Sequence, residues 1–479
     1  HLSLASHCTG FIGRFQYNPR LVVELFETRQ VNSQTSPSSD ALSVGICGLG
    51  TVGTGTLLLL QDNADEIAKR LDRAIAVSHV ATRTLDAERS ALLEKCGVPN
   101  SSTDPFAVVN DPQVQIVVET MGGYEPAFDV VKQALANGKH VVTANKALIA
   151  ERGNELFPLA QANNVSLAFE SSVAGGIPII KALREGLAAN QIDWLAGIIN
   201  GTGNFIMTEM AARQTPFEDV LRRAQELGYA EADPSFDVEG IDAAHKLTIM
   251  GAIAFGIPLQ FDKTYTEGIS CITPDDISYA DELGYSIKHL GIARRTEKGI
   301  EMRVHPTLLS KSRLLANVNG VGNAILVHGN AVGATLYSGP GAGAEATASA
   351  VVADLIDIGR QLSAGVHEPV YPALGYREMR DDLPVLAIDE IEAEYYLRIP
   401  ALDKVGVLAK ISSILQQHDI SIEAVIQKEA ISEIIPIVIL THRAAEKQLN
   451  HAISAIEALD DVSGSINRIR VEPFHGEAD

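Results

Sequence analysis

The chain has 479 residues with 46% apolar and 5% aromatic side chains, 60 acids against 38 lysines and arginines, a net charge of -22 and a pI near 5.0. That length holds about two to four domains with cores of their own, and the acidic balance argues against a nucleic-acid or acidic-lipid partner. No apolar run reaches the roughly 20 residues of a membrane span, and the four cysteines (Cys8, Cys47, Cys96, Cys271) lack CxxC or Cys/His spacing, which points to a reducing cytoplasm and no zinc site.

Residues 1–40 are polar and irregular, with Ser, Asn, Gln and Pro concentrated at 32–39, and are expected to be poorly ordered and without chemistry. They lack the apolar core of a secretory signal. A start at His1 suggests a trimmed or tagged terminus, and Arg14, Arg20 and Arg29 leave a transit peptide as the second reading.

From Ala41 short apolar runs alternate with helical periods. Strands are predicted at Leu42–Cys47, Ile75–Ala81, Val114–Val118, His140–Thr143 and Val165–Phe169, the pattern of a doubly wound parallel sheet. The first strand runs into Gly48-Leu49-Gly50-Thr51-Val52-Gly53 and then a helix, which is the context that gives this glycine spacing meaning. Gly48 permits the turn, Gly50 lets a pyrophosphate approach the backbone, Gly53 lets helix and strand pack closely, and the helix start at Thr51 and Val52 supplies an anion site. The second strand ends Ala81-Thr82-Arg83-Thr84 with no acid until Asp86, so Arg83 is a candidate partner for a 2'-phosphate, favouring NADP. An ordinary surface arginine is nearly as good a reading, and dual cofactor use stays open. Thr120, Met121 and Gly122 form a turn at the carboxyl edge of the sheet where a cofactor would lie, and Lys146 follows the next strand at the same edge. The segment Phe169–Pro178 joins Glu170 to small residues with free carbonyls. It is a plausible seat for a hard cation, but from the residues alone it reads simply as a tight crossover.

From about Ile177 to Tyr337 the order changes to helices and irregular strands (Trp194–Asn200, Tyr285–Arg294, Glu301–Pro306), read as an inserted α+β substrate domain. Asn200, Gly201 and Thr202 open a loop offering amides and a hydroxyl to a polar ligand. The stretch Gly228–Met250 matters most. A helix is predicted from about Val238, with Ser235 or Asp237 capping its start and Gly256 closing its end. Asp242 and Lys246 share one face, and most such pairs are surface ion pairs worth roughly 0.2–0.5 kcal/mol. Here the apolar neighbours leave almost no wet face, so the pair is expected in a cleft, where a lysine has a tunable pKa. Glu231, Asp233 and Asp237 add acids able to hold an ammonium, although for Asp233 and Glu239 a solvated loop is the default. His245, His305 and His328 read as satisfied histidines. The glycine-rich run 338–347, with Gly343, is expected to lead the chain back to the cofactor.

After Leu383 the order strand (Glu394–Pro400), helix (Val407–His418), two strands, helix (Ala444–Leu459), strand (Gly464–Val471) is ferredoxin-like. The turn Asp403–Leu408 presents amides that could take an amino-acid carboxylate.

From about Ser43 onward the residues resemble homoserine dehydrogenase. The signatures are Gly48–Gly53, Thr143–Lys146, Glu170–Ile177, Asn200–Asn204 and above all Tyr229–Lys246. The resemblance implies an α/β fold: a Rossmann NAD(P) domain over 41–176, rejoined by 338–385, an inserted substrate-binding and dimerisation domain over 177–337, and an ACT regulatory domain over 393–475. It implies Lys246 and Lys146 as catalytic, Glu231 and Asp242 as substrate-binding, and a monovalent cation, Na+, held by Glu170 and the backbone of Val173, Gly175 and Ile177. It further implies a homodimer or homotetramer, a possible threonine effector at the ACT domain, and the monofunctional form, since no aspartokinase-like domain precedes. Residues 1–40 depart from the family.

The expected reaction is L-homoserine plus NAD(P)+ to L-aspartate 4-semialdehyde plus NAD(P)H, run toward the alcohol in threonine and methionine biosynthesis. Lys246 is the proton donor, Lys146 a second positive group, Asp242 fixes the hydroxyl and Lys246, and Glu231 takes the ammonium. One rival is a dehydrogenase of different substrate, such as another amino-acid reductase or aspartate semialdehyde dehydrogenase, the latter of which forms a thioester on cysteine. The substrate loops carry no cysteine, which discounts it. The other is a non-catalytic amino-acid sensor, which an assay of NADPH oxidation separates.

Overall fold

The computed structural model describes residues 41–366, 369–428 and 433–474, so the expectations for 1–40 lie outside the described residues. A six-stranded parallel sheet runs in the spatial order 100–102, 75–81, 42–47, 116–119, 140–143, 167–168. The strands Ile116–Glu119 and His140–Thr143 are buried throughout, as Val- and Ile-rich strands covered on both faces must be. The strand order reverses between Leu42–Cys47 and Ile116–Glu119, which opens a crevice at their carboxyl ends.

The helix Ala344–Ser363 closes one face. Its Val351, Leu355 and Ile358 share a core with Leu42, Val44 and Ile46, and a Cβ added to Gly55 of the helix Thr51–Asp62 would meet Ala344 O at 2.7 Å. The helix Ala344–Ser363 is thus packed against this sheet.

A second, ten-stranded sheet follows the order 333–340, 322–329, 192–198, 285–295, 300–310, 467–471, 392–402, 434–445, 422–427, with Tyr265–Thr266 paired to one side. Its first half corrects the expectation of irregular strands. Tyr285–Arg295 and Ile300–Ser310 form a regular antiparallel pair of eleven residues each, and Gly322–Gly329 and Gly333–Pro340 are strands that the sequence reading did not separate from loops.

The helix Ile241–Phe255 lies between the sheets. It is packed on the helix Lys146–Ala162 on one side and on Tyr285–Arg295 and Ile300–Ser310 on the other. It begins at Ile241 and not at Val238, because Gly240 takes φ +85° and breaks the chain from a separate short helix, Ser235–Val238. Neither Ser235 nor Asp237 caps it. Gly256, at φ +69°, closes it as predicted.

The C-terminal unit is βαββαβ. Its last strand, Asn467–Val471, also pairs in parallel with Thr307–Leu308, so its strands continue the sheet that begins at 333–340. Buried charges stitch that seam. Arg470 bonds Glu446 (3.0 Å) and Glu267 (2.8 Å), Arg303 bonds Glu472 (3.0 Å), and Arg398 bonds Asp276 (2.6 Å). No described helix is long and apolar enough to cross a membrane.

Candidate active site

The crevice is shaped by missing side chains. Gly48 turns at φ +105°, and a Cβ there would meet Thr120 C at 2.7 Å. One on Gly53 would meet Gly48 O at 1.9 Å, while one on Gly50 would meet nothing within 4 Å. The strand and helix thus touch at Gly53, and Gly50 faces open space at the start of the helix Thr51–Asp62. No side chain caps that start, so its first amides remain available to an anion. Thr120 donates its hydroxyl to Gly48 O (2.7 Å), fixing one turn against the other. Gly122 at φ +71° and Gly343 at φ +121° also face open space, and Arg83 is exposed just beyond the second strand. This open, amide-lined cradle fits a dinucleotide pyrophosphate. A residue the sequence reading did not select, Glu119, holds the rim: its buried carboxylate accepts Met121 N (2.7 Å), Gly122 N (3.2 Å) and the Thr143 hydroxyl (2.6 Å), and burial pushes its pKa up. An acid ending an otherwise apolar strand was the available signal.

Lys146 opens the helix Lys146–Ala162. Asn145 caps that helix by accepting Leu148 N (3.1 Å), and its amide donates to Gly123 O (2.6 Å), tying the Lys146 turn to the glycine turn. The Lys146 ammonium lies 3.1 Å from Asp242 Oδ1 and 5.4 Å from the centroid of the Phe236 ring. Lys246, buried, donates to Asp242 Oδ2 (2.7 Å) and to Ile199 O (2.8 Å). The two lysines therefore share one carboxylate.

Asn200 completes the group. Its amide donates to Asp242 Oδ2 (2.8 Å) and Asp237 Oδ1 (2.7 Å), while its own oxygen caps the helix Gly201–Arg213 at Gly203 N (2.7 Å). Burial works to raise the pKa of Asp242, but the Lys246 and Lys146 ammoniums outweigh it and hold the carboxyl well below the usual range. Burial pulls Lys246 below the ordinary lysine value, opposed by Asp242 and assisted by Lys146. Burial, with Asp242 nearby, pushes Asp237 up. A buried lysine with a lowered pKa, held on a carboxylate and facing a second cation, is suited to give up a proton.

Not every selected residue converges here. Gly201 begins the capped helix, and Thr202 spends its hydroxyl on Tyr229 O (2.7 Å). Glu231 is exposed, and its backbone carbonyl accepts Gln225 Nε2 (3.1 Å); the acid joined to Asp242 through Asn200 is Asp237. His305 and His328 are bonded as expected, to Arg303 and Asp193. His245 is only half satisfied: Nε2 bonds Glu151 (2.9 Å), and Nδ1 is buried without a partner.

In the Glu170 loop, Ala174 (φ +55°) and Gly175 (φ +50°) turn the backbone sharply beside Gly341, whose oxygen would lie 2.7 Å from a Cβ on Gly175. The Glu170 carboxylate accepts Ile180 N (2.9 Å) and Lys181 N (2.8 Å), and Ile177 O accepts Ile179 N (2.8 Å). Each carboxylate oxygen retains a further lone pair, so this all-oxygen set fits a hard cation. Among the described residues no group of three or more His, Cys, Asp or Glu is disposed to hold a metal ion by side chains alone.

Comparison with known proteins bears on this arrangement. Residues 48–170 match the family model described as homoserine dehydrogenase, NAD binding domain, residues 178–356 that described as homoserine dehydrogenase, and residues 395–461 the ACT domain. The chain is 56% identical over 439 residues to the homoserine dehydrogenase of Pseudomonas aeruginosa, covering 91% of this chain and 99% of that one. It is 53% identical over 436 residues to that of Neisseria gonorrhoeae, covering 91% and 99%. The crystal structure of a homoserine dehydrogenase from Thiobacillus denitrificans superposes with a TM-score of 0.87 at 57% identity, covering 91% of this chain and 99% of that one.

Proposed function

The chain belongs to the homoserine dehydrogenase family, NAD(P)-dependent oxidoreductases that interconvert L-aspartate 4-semialdehyde and L-homoserine, and from that premise we propose which of its residues do the work. The observation that carries the reading is that Lys146 and Lys246 meet at Asp242, beside the loop that ends the glycine-turn crevice. When bound, the nicotinamide supplies the hydride. The rest falls to the chain. As the substrate carbonyl becomes an alcohol its oxygen gains negative charge, and Lys246 holds the proton it takes. Lys146 adds a second positive charge that stabilises and orients that oxygen. Asp242 holds both lysines in place, favours the charged form of Lys246 and receives the hydroxyl, and Asp237 and Glu231 are the acids available to the substrate ammonium.

On this reading residues 41–176 with 338–385 form the nucleotide domain, 177–337 the substrate and dimerisation domain, and 393–475 the ACT domain. Gly48, Gly50, Thr51, Val52, Gly53, Thr120, Met121, Gly122 and Gly343 line the cofactor, with Arg83 placed for a 2'-phosphate. Glu170 with the carbonyls of Val173, Gly175 and Ile177 seats Na+. Threonine is the proposed effector, at the turn where Gly406 (φ +94°) opens the helix Val407–Gln417 without a side-chain cap. A homodimer or homotetramer is supported by the outer strand Gly333–Pro340, which is the last of its sheet and leaves Leu336 40% exposed.

A crystal structure with NADP and homoserine tests the assignment. The substrate oxygen is expected within hydrogen-bond reach of Lys246 Nζ, and a pose that leaves Lys246 out of reach overturns it.

A further inference from the structure

We propose that His245, bonded to Glu151, is a positioning residue that fixes the interval between the two lysines. The inference rests on the reading that Lys146 and Lys246 carry the chemistry.

His245 precedes Lys246 on the helix Ile241–Phe255, and Glu151 lies on the helix that Lys146 opens. The Nε2–Oε1 bond of 2.9 Å between them is therefore a second tie between the same two helices, one turn along from the Lys146–Asp242 pair. The same Glu151 oxygen accepts the hydroxyl of Tyr124, which directly follows the Gly122-Gly123 turn at the cofactor rim. One carboxylate thus links the cofactor rim, the Lys146 helix and the Lys246 helix.

The imidazole is clamped as well as bonded. It is 1% exposed, stacks on Phe261 with centroids 4.2 Å apart at 27°, and lies 5.5 Å from Phe236, the ring over which the Lys146 ammonium sits. Lys146 on its own is a weak tether. Its side chain is 31% exposed, on a flexible stem, with one contact to Asp242, whereas the His245–Glu151 bond joins a rigid ring to a short lever.

The charged groups acting on His245 are Glu151 and Lys146 from the opposing helix and Asp242 on its own. Burial holds its pKa down against the pull of Glu151, with Lys146 adding to the lowering. The ring is then neutral, with its proton on the Nε2 that faces the carboxylate and the buried Nδ1 left without a donor. A neutral ring ties the helices without adding a third positive charge to the two ammoniums. Leaving a buried acceptor unpaired is a cost that mere packing does not explain.

The test is steady-state reduction of L-aspartate 4-semialdehyde by NADPH in His245→Leu, His245→Gln, Glu151→Ala and the double variant His245→Leu/Glu151→Ala. Glu151 is half-exposed, so Glu151→Ala keeps the test open should His245→Leu fail to fold. His245→Leu and Glu151→Ala are expected to lower kcat about tenfold to hundredfold, the scale of a misplaced reacting group, with the KM for NADPH unchanged in His245→Leu, which leaves the Tyr124–Glu151 bond in place. His245→Gln, which can still donate to Glu151, restores most of the loss, and the double variant is no worse than Glu151→Ala, which already breaks the His245 bond. Lys146 lowers the pKa of Lys246, so its drift away moves the alkaline limb of the pH profile upward, which loss of packing alone would not do. Wild-type kcat and pH profile in Glu151→Ala, or losses that simply add, overturn the proposal. Lys246→Ala run alongside separates the two failures: an inactive Lys246→Ala beside a normal Glu151→Ala refutes only the positioning role, and an active one refutes the reading beneath it.

Discussion

The ammonium of Lys146, at the carboxyl edge of the six-stranded sheet, stands 3.1 Å from the carboxylate of Asp242, on the helix that also carries Lys246. A residue of one sheet layer and a residue of the other are thus locked together at the mouth of the cofactor crevice. The shared carboxylate pairs with both ammoniums and favours the charged form of Lys246.

Asp242→Asn removes the group that raises the pKa of Lys246 and leaves two ammoniums facing each other. Lys246 then loses its proton at lower pH, so the alkaline limb of the reduction profile moves down. Stability changes with the opposite pH sense. The Asp242 carboxyl is depressed in the fold, so the stability it confers is complete above its unfolded value of about 4 and is lost as pH falls through the folded one. At neutral pH the variant is less stable by about 3–5 kcal/mol, as expected for breaking a buried pair, and the gap in urea melts narrows only under acid conditions. An unmoved alkaline limb counts against Asp242 as the partner that governs Lys246.

Gly50 and Gly53 fail differently when replaced by alanine. A Cβ on Gly53 collides with the Gly48 carbonyl at 1.9 Å, so Gly53→Ala loses melting temperature as well as cofactor binding. Gly50 has open space, so Gly50→Ala folds with an unchanged melting temperature and weakened NADPH affinity, measured by fluorescence titration. Unchanged affinity in Gly50→Ala removes the pyrophosphate from this turn.

Arg83 is exposed just past the second strand, where the ribose 2' position is read. Arg83→Ala is expected to raise the KM for NADPH about tenfold or more, the scale of a hydrogen bond to a charged group, and to leave that for NADH unchanged. Equal effects on both cofactors assign Arg83 to the general surface.

The oxygen-lined loop at Glu170 gives a salt-specific expectation. Sodium chloride raises the melting temperature above that in choline chloride of equal ionic strength, and Glu170→Ala abolishes the difference. Identical curves in the two salts contradict cation binding there.

Much of this was legible in the sequence, for physical reasons. The strands Leu42–Cys47, Ile75–Ala81 and His140–Thr143 appear with the predicted bounds because β-branched runs flanked by glycine and polar turns leave little choice. Asp242 and Lys246 were visible because an ion pair on a helix with no wet face has to face a cleft. The helix start was misplaced because Gly240 carries no sign of its positive φ. Gly322–Gly329 and Gly333–Pro340 were obscured because glycines at or next to both ends of each make a strand look like a turn. No local pattern could show that Asn200 would reach across to Asp237 and Asp242, that Glu151 would meet His245, or that Asn467–Val471 would pair with Ile300–Ser310. These are contacts between segments brought together only by the fold.

The most direct test of the proton-donor assignment is the turnover of Lys246→Ala in NADPH-dependent reduction of L-aspartate 4-semialdehyde, with NADPH affinity measured on the same preparation. Loss of turnover by about 10² or more, the low end of general acid–base contributions, with cofactor affinity retained, is the predicted result. Turnover close to that of the unsubstituted enzyme would contradict it.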